Sequence, residues 1–210
     1  MKRLNFFIAA LILFASCNNA NKGDNEQQND TAVSEAFVPV DSATAEKNWQ
    51  EYMTPGAIHK MMASWDGKWN TTITMWMSAD ATPIEATGSC VNKMVLNGLY
   101  QESVHTSTMM GMPFEGHGVL AYDNAKKTFV SSWIDNMGSG IMHMEGAWNE
   151  ETKTITLTGK GVDPSSGKDC SMKEIYKIVD DNTQTMEMYG PSPVDGKEMK
   201  MMEMKLTRSK

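Results

Sequence analysis

Cysteine, positive charge and long apolar runs are all scarce in this 210-residue chain, and each scarcity removes a class of function. With only three cysteines, Cys17, Cys90 and Cys170, there is no paired CxxC centre. Lysine and arginine number 19 against 26 acidic residues, a net charge of −7. No basic stripe exists to displace counterions from a nucleic acid, which is therefore not an expected partner. The one long apolar run, Leu4 to Phe14, is too short to span a bilayer. HExxH, a nucleophile elbow and a P-loop are missing too, so the chain reads as a binder before it reads as an enzyme.

What is present begins with an address. Lys2 and Arg3 precede the apolar run, and Ala15-Ser16 lead into Cys17, the layout of a secretory signal over residues 1–16. Small residues before a lone cysteine resemble a bacterial lipobox, with Phe14 where an aliphatic residue is more usual. The resemblance implies acylation (palmitate) at Cys17 and a lipoprotein anchored to a membrane of the bacterial cell envelope, on either the periplasmic or the surface face. Residues 17–45, rich in Asn, Asp, Glu, Gln and Ser, bury too little to offset ordering entropy and are expected to form a tether. Residues 46–210 suit one domain. In an oxidising compartment Cys90 and Cys170 either pair or remain two buried thiols.

Turn chemistry punctuates the domain: Asn97-Gly98, then clusters opening at Asp123, Asp135, Asn149, Asp163 and Asp180, and Asp195-Gly196. Between them lie short runs rich in Thr, Val, Ile, Met and aromatics, with Ile155 and Leu157 alternating with threonines. That pattern predicts an all-β, antiparallel up-and-down barrel of about ten strands. A short helix through "GAIHKMMASW" is expected ahead of it, with Pro55 in its first turn, and "ATAEKNWQEYM" is a candidate for another. Asn97-Gly98 predicts a two-residue type I′ hairpin.

Gly67-x-Trp69 at the first strand resembles the Gly-x-Trp motif of the calycins, the lipocalin and fatty-acid-binding barrels. The resemblance implies that Trp69 closes one barrel end against a basic side chain of the last strand, here Arg208, as a structural site. Further along, "GMPFEGHGVLAYDNAKKTFVSSWIDNMGSGI", "GKDCSMKEIYKIVDDNTQTMEMY" and "DGKEMKMMEMKLTR" resemble the bacterial family called domain of unknown function 1579, over about Pro55 to Arg208. Gly111, Pro113, Phe114, Gly116, Gly118, Tyr122, Asp123, Trp133, Asp135 and Gly138 carry the match. It implies a shared framework and no reaction.

Methionine is the compositional oddity, with 20 in the chain. Strand parity makes Met75, Met77, Trp133, Met186, Met188, Met202 and Met204 candidates to line a cavity for a small apolar ligand, since thioethers make a pliable apolar wall. "MMGM" at Met109–Met112 and "MHM" at Met142–Met144 raise copper handling as an alternative, because Cu(I) prefers soft ligands. However, Met142 and Met144 point away from His143 in a strand, and no metal site or cofactor is expected. His105, His117 and His143 are candidate acids or bases for an enzymatic alternative. Counting outward from Asn97-Gly98 sets Cys90 opposite His105, within reach for thiol–imidazole activation. Glu174 alternates with Met172, Tyr176 and Ile178; it is expected to point inward, either as an anchor for a ligand's polar group or, the favoured reading, paired with an internal Arg or Lys. A filled, purely structural barrel is the remaining alternative, and the oligomeric state is open.

Overall fold

The computed structural model describes residues 37–210; the signal segment, Cys17 and most of the expected tether lie outside the described residues. Helix α1 runs Ser42–Met53, starting inside the stretch read as tether. Its start is set by Asp41, whose carboxylate accepts from the Ala43 and Thr44 amides at 3.1 and 3.0 Å. Its end is set by Thr54, held extended before Pro55. The Asn124 amide donates to the carbonyls of Glu51, Tyr52 and Thr54 there. Helix α2 spans Ala57–Ala63. Pro55 lies outside it, because Gly56 is the N-cap and donates its amide to His59 Nδ1 at 3.1 Å. Among the described residues no helix is long and apolar enough to cross a membrane.

Ten strands follow: β1 (Gly67–Met75), β2 (Ile84–Val95), β3 (Tyr100–Met109), β4 (Met112–Asp123), β5 (Thr128–Asp135), β6 (Met142–Asn149), β7 (Thr154–Asp163), β8 (Lys168–Asp180), β9 (Thr183–Pro191) and β10 (Glu198–Arg208). Each pairs antiparallel with the next, and β1 with β10 closes the barrel. Closure leaves no free sheet edge. The β2–β3 connection differs from the expected two-residue turn. Leu96, Asn97 and Gly98 all adopt positive φ, and pairing stops at Val95 opposite Tyr100. The loop centre is unchanged, so the register is too. The two-residue hairpin lies instead at Met110-Gly111 (φ 50° and 80°), between paired Met109 and Met112.

One end of the barrel is plugged. Met62 of α2 and Trp65 pack with Phe129, Met144, Ile155 and Leu157. Gln101 donates to the Met62 carbonyl at 2.7 Å and to Asp66 Oδ1 at 3.0 Å, tying the plug to β3. Beside it, Trp69 is buried and donates Nε1–H to the Trp65 carbonyl. Arg208, directly opposite Trp69 in the sheet, lays its guanidinium 4.3 Å from the indole centroid. The same guanidinium donates to the carbonyls of Ser64, Asp66 and Asp181. A cation–π contact of about 0.5–2 kcal/mol is thus combined with two bonds that fix the plug to the last strand and one to the β8–β9 turn.

Candidate binding cavity

Above the plug the interior is not filled. A cavity of about 300 Å³ remains, walled by the inward faces of the strands. That volume is at the small end of the range for ligand pockets. Met75, Met186, Met188, Met202 and Met204 lie in the wall, as do Met109 and Met142. Trp133, Phe114 and Tyr176 supply the aromatic surface. Met77 does not belong to this wall. β1 ends at Met75, the Trp76 amide bonds the Met201 carbonyl, and the Met77 side chain is left 63% exposed.

Trp133 explains the glycines of "FEGHG". Its indole lies across β4, over Gly116 and Gly118; a Cβ added at Gly116 would meet Cζ2 at 2.2 Å. Only bare backbone leaves room for the ring. Nε1–H donates to Asp135 at 2.8 Å, while His105 meets the ring edge-on with centroids 5.3 Å apart. "MMGM" is the hairpin turn at the end of the barrel remote from the plug; Met109 faces in and Met110 is exposed.

The four histidines separate. His105 lines the cavity. His117 is on the outer face, bonded to Glu115 at 2.8 Å, and His143 is also outside and exposed. Neither can act as an acid or base within the cavity. The Met142-His143-Met144 triplet is divided by the wall, with Met142 and Met144 inside and His143 outside, so it is not a chelate. His59 is buried in the plug. Among the described residues no group of three His, Cys, Asp or Glu side chains is placed to hold a metal ion.

Cys90 and His105 do meet, Sγ to Nε2 at 3.2 Å, and the thiol donates to Asn92 Oδ1 at 3.0 Å. Burial pushes the Cys90 thiol up to about 12 and His105 down to about 4. Both partners are therefore neutral at pH 7, the opposite of an activated thiolate–imidazolium pair. The arrangement is a hydrogen-bonded wall, not a nucleophile. Cys90 and Cys170 are both free, so of the two expectations the unpaired one matches the structure; Cys170 is only partly buried.

Glu174 points inward, but the expected internal cation is missing. Among the described residues no lysine or arginine forms an ion pair with it and it has no hydrogen-bond partner. Burial alone pushes its carboxyl up to about 7. Burial, with Cys90 and Glu174 adding to it, holds the Tyr176 phenol well above its usual range. Two further polar atoms in the wall lack partners, Gln184 Oε1 and Ser107 Oγ. Sequence reasoning passed over Gln184, although it shares a face with Met186 and Met188 and parity places it inside.

The fold has solved counterparts. Rv2717c from M. tuberculosis superposes with a TM-score of 0.57 at 13% identity, covering 75% of this chain and all of that one. An S-type phycobiliprotein lyase, CPES from Guillardia theta, gives 0.52 at 8% identity, covering 74% and 94%. At such identities the likeness shows a calycin-like barrel and nothing finer. No curated protein matches the chain. The family described as "Protein of unknown function (DUF1579)" matches residues 54–208, the whole barrel with α2, and the chain belongs to that family.

Proposed function

We propose that this protein is a cell-envelope lipoprotein, anchored through acylated Cys17, whose barrel binds a small, largely apolar molecule without transforming it. The observation that carries the binding reading is the 300 Å³ cavity walled by methionine and aromatic side chains. A well-packed domain leaves few voids larger than a water molecule, and a void of this size, apolar over most of its wall, offers contacts that a largely apolar occupant completes. Against an enzyme stands the neutral Cys90–His105 pair.

Native mass spectrometry of the protein purified from its own envelope tests the binding. An organic adduct that is lost on denaturation is expected; a bare protein mass from that source contradicts it. Radiolabelled palmitate tests the anchor: incorporation is expected in the wild type and not in Cys17→Ser, and equal labelling of both contradicts it.

A further inference from the structure

The cavity is apolar in area and one-sided in charge. Among the described residues the carboxyl groups in its wall are Glu174 and Asp135, and no lysine or arginine side chain lines it. The other titratable groups at the wall are Tyr176 on the same strand as Glu174, His105 on β3, and Cys90 behind it on β2. The strands flanking β8 present only Ile155 and Leu157 from β7 and Gln184, Met186 and Met188 from β9 to this space. None of these groups carries positive charge at neutral pH, since burial keeps His105 neutral.

The two acids are not equivalent. Asp135 is occupied: its oxygens accept from Trp133 Nε1 and from the Met137 amide, each at 2.8 Å. Glu174 accepts no hydrogen bond from any of the described residues. Gln184, 1% exposed and also in the wall, holds a carbonyl oxygen with no donor. A buried acceptor without a donor costs free energy until something supplies one. A ligand ending in a carboxylate or phosphate would bring more acceptors and a second negative charge, with no cation to receive it. An ammonium group brings up to three donors, no acceptor and the opposite charge.

We infer that the occupant of this cavity is an apolar amine, its hydrocarbon part against the methionine wall and its ammonium group on Glu174. The inference rests on the binding reading above and adds the chemical class of the ligand.

Calorimetric titration with three probes of one chain length, octylamine, 1-octanol and octanoate, separates the two. At pH 8 octylamine is expected to bind at least tenfold more tightly than 1-octanol, and octanoate more weakly than either. Glu174→Gln, nearly isosteric, is expected to bring octylamine down to the affinity of 1-octanol. The wild type alone gives a second reading that does not depend on the variant folding. Octylamine stays protonated well past pH 8, as a lysine does. Its affinity should therefore fall about tenfold per pH unit below about 7, as Glu174 takes up its proton, while that of 1-octanol stays flat. If 1-octanol or octanoate binds as tightly as octylamine, or if octylamine ignores both pH and Glu174→Gln, the amine inference is overturned and the cavity reading stands. If none of the three binds, both fall.

Discussion

Replacing Gly116 by alanine tests whether the glycines of β4 exist to seat Trp133. The added methyl carbon would lie 2.2 Å from Cζ2 and 2.6 Å from Cη2 of the indole. Because the ring is rigid, it must move as a whole. Such overpacking costs about 1–3 kcal/mol. Moving the ring also strains the 2.8 Å bond to Asp135, a further ~0.5–1.5 kcal/mol if it breaks. Alanine recovers up to about 1 kcal/mol by restricting the unfolded chain. The balance is a loss of about 1–3 kcal/mol. Urea denaturation should show a lower midpoint with the slope unchanged. The same substitution placed on Trp133→Leu, where no ring occupies the site, should cost far less, and the difference is the coupling energy. If Gly116→Ala costs under about 0.5 kcal/mol, or costs the same in both backgrounds, the indole is not what requires the glycine.

Other outcomes follow from the same geometry. Arg208→Ala should destabilise by about 2 kcal/mol or more, since it removes the cation–π contact, two bonds to the plug and one to the β8–β9 turn; Arg208→Lys should restore less than half, as an ammonium cannot reproduce the fork. Equal stability of the Lys variant and wild type in urea melts would contradict this. In the folded protein at pH 8 Cys90 should resist iodoacetamide, because a thiol held near 12 is ionised in only about one molecule in ten thousand; half-buried Cys170 should label first, and Cys90 labelling at the same rate would refute the account. The pH dependence of stability should split between Glu174 and His105. Glu174, raised from 4.5 to about 7, keeps a proton in the folded state that the unfolded chain has lost, so its contribution falls as pH rises from 4.5 to 7. His105, lowered from 6.5 to about 4, stays neutral where the unfolded chain protonates, so its contribution rises from pH 4 to 6.5. Glu174→Gln should therefore gain on wild type by up to ~1.4 kcal/mol per pH unit across 4.5–7 and be the more stable protein at pH 8. An unchanged gap between pH 4.5 and 8 would count against the buried acid.

The architecture was largely legible because alternation and turn chemistry are local. Ile155 and Leu157 between threonines, or Met186 and Met188 on one face, announce strands without knowledge of their neighbours. The Cys90–His105 register was legible for a less obvious reason. A two-residue and a four-residue loop with the same centre give the same pairing, so mistaking the turn cost nothing. Which face of that hairpin turned inward was not legible. The polar side, with Asn92, Ser103 and His105, faces the cavity, and Val91 faces out, because parity distinguishes two faces but not inside from outside. Met77 failed at a boundary: alternation continues in the letters after the strand has ended. Glu174 was placed correctly along its strand, but the missing cation depended on every other strand's inward residues at once. Gly116 and Gly118 stood out, yet their purpose required the register between β4 and β5 that sets Trp133 over them.

The central claim, an interior site for a small apolar molecule, is tested most directly by spectra of the protein with ¹³C-labelled methionine methyls during titration with octylamine. Seven of these methyls belong to residues lining the cavity, whereas those of Met77, Met110 and Met137 are exposed. The account predicts that the signals of Met75, Met186, Met188, Met202 and Met204 shift together and saturate, while the three exposed ones stay in place. Shifts confined to the exposed methyls, or no saturable shift in any, would contradict it.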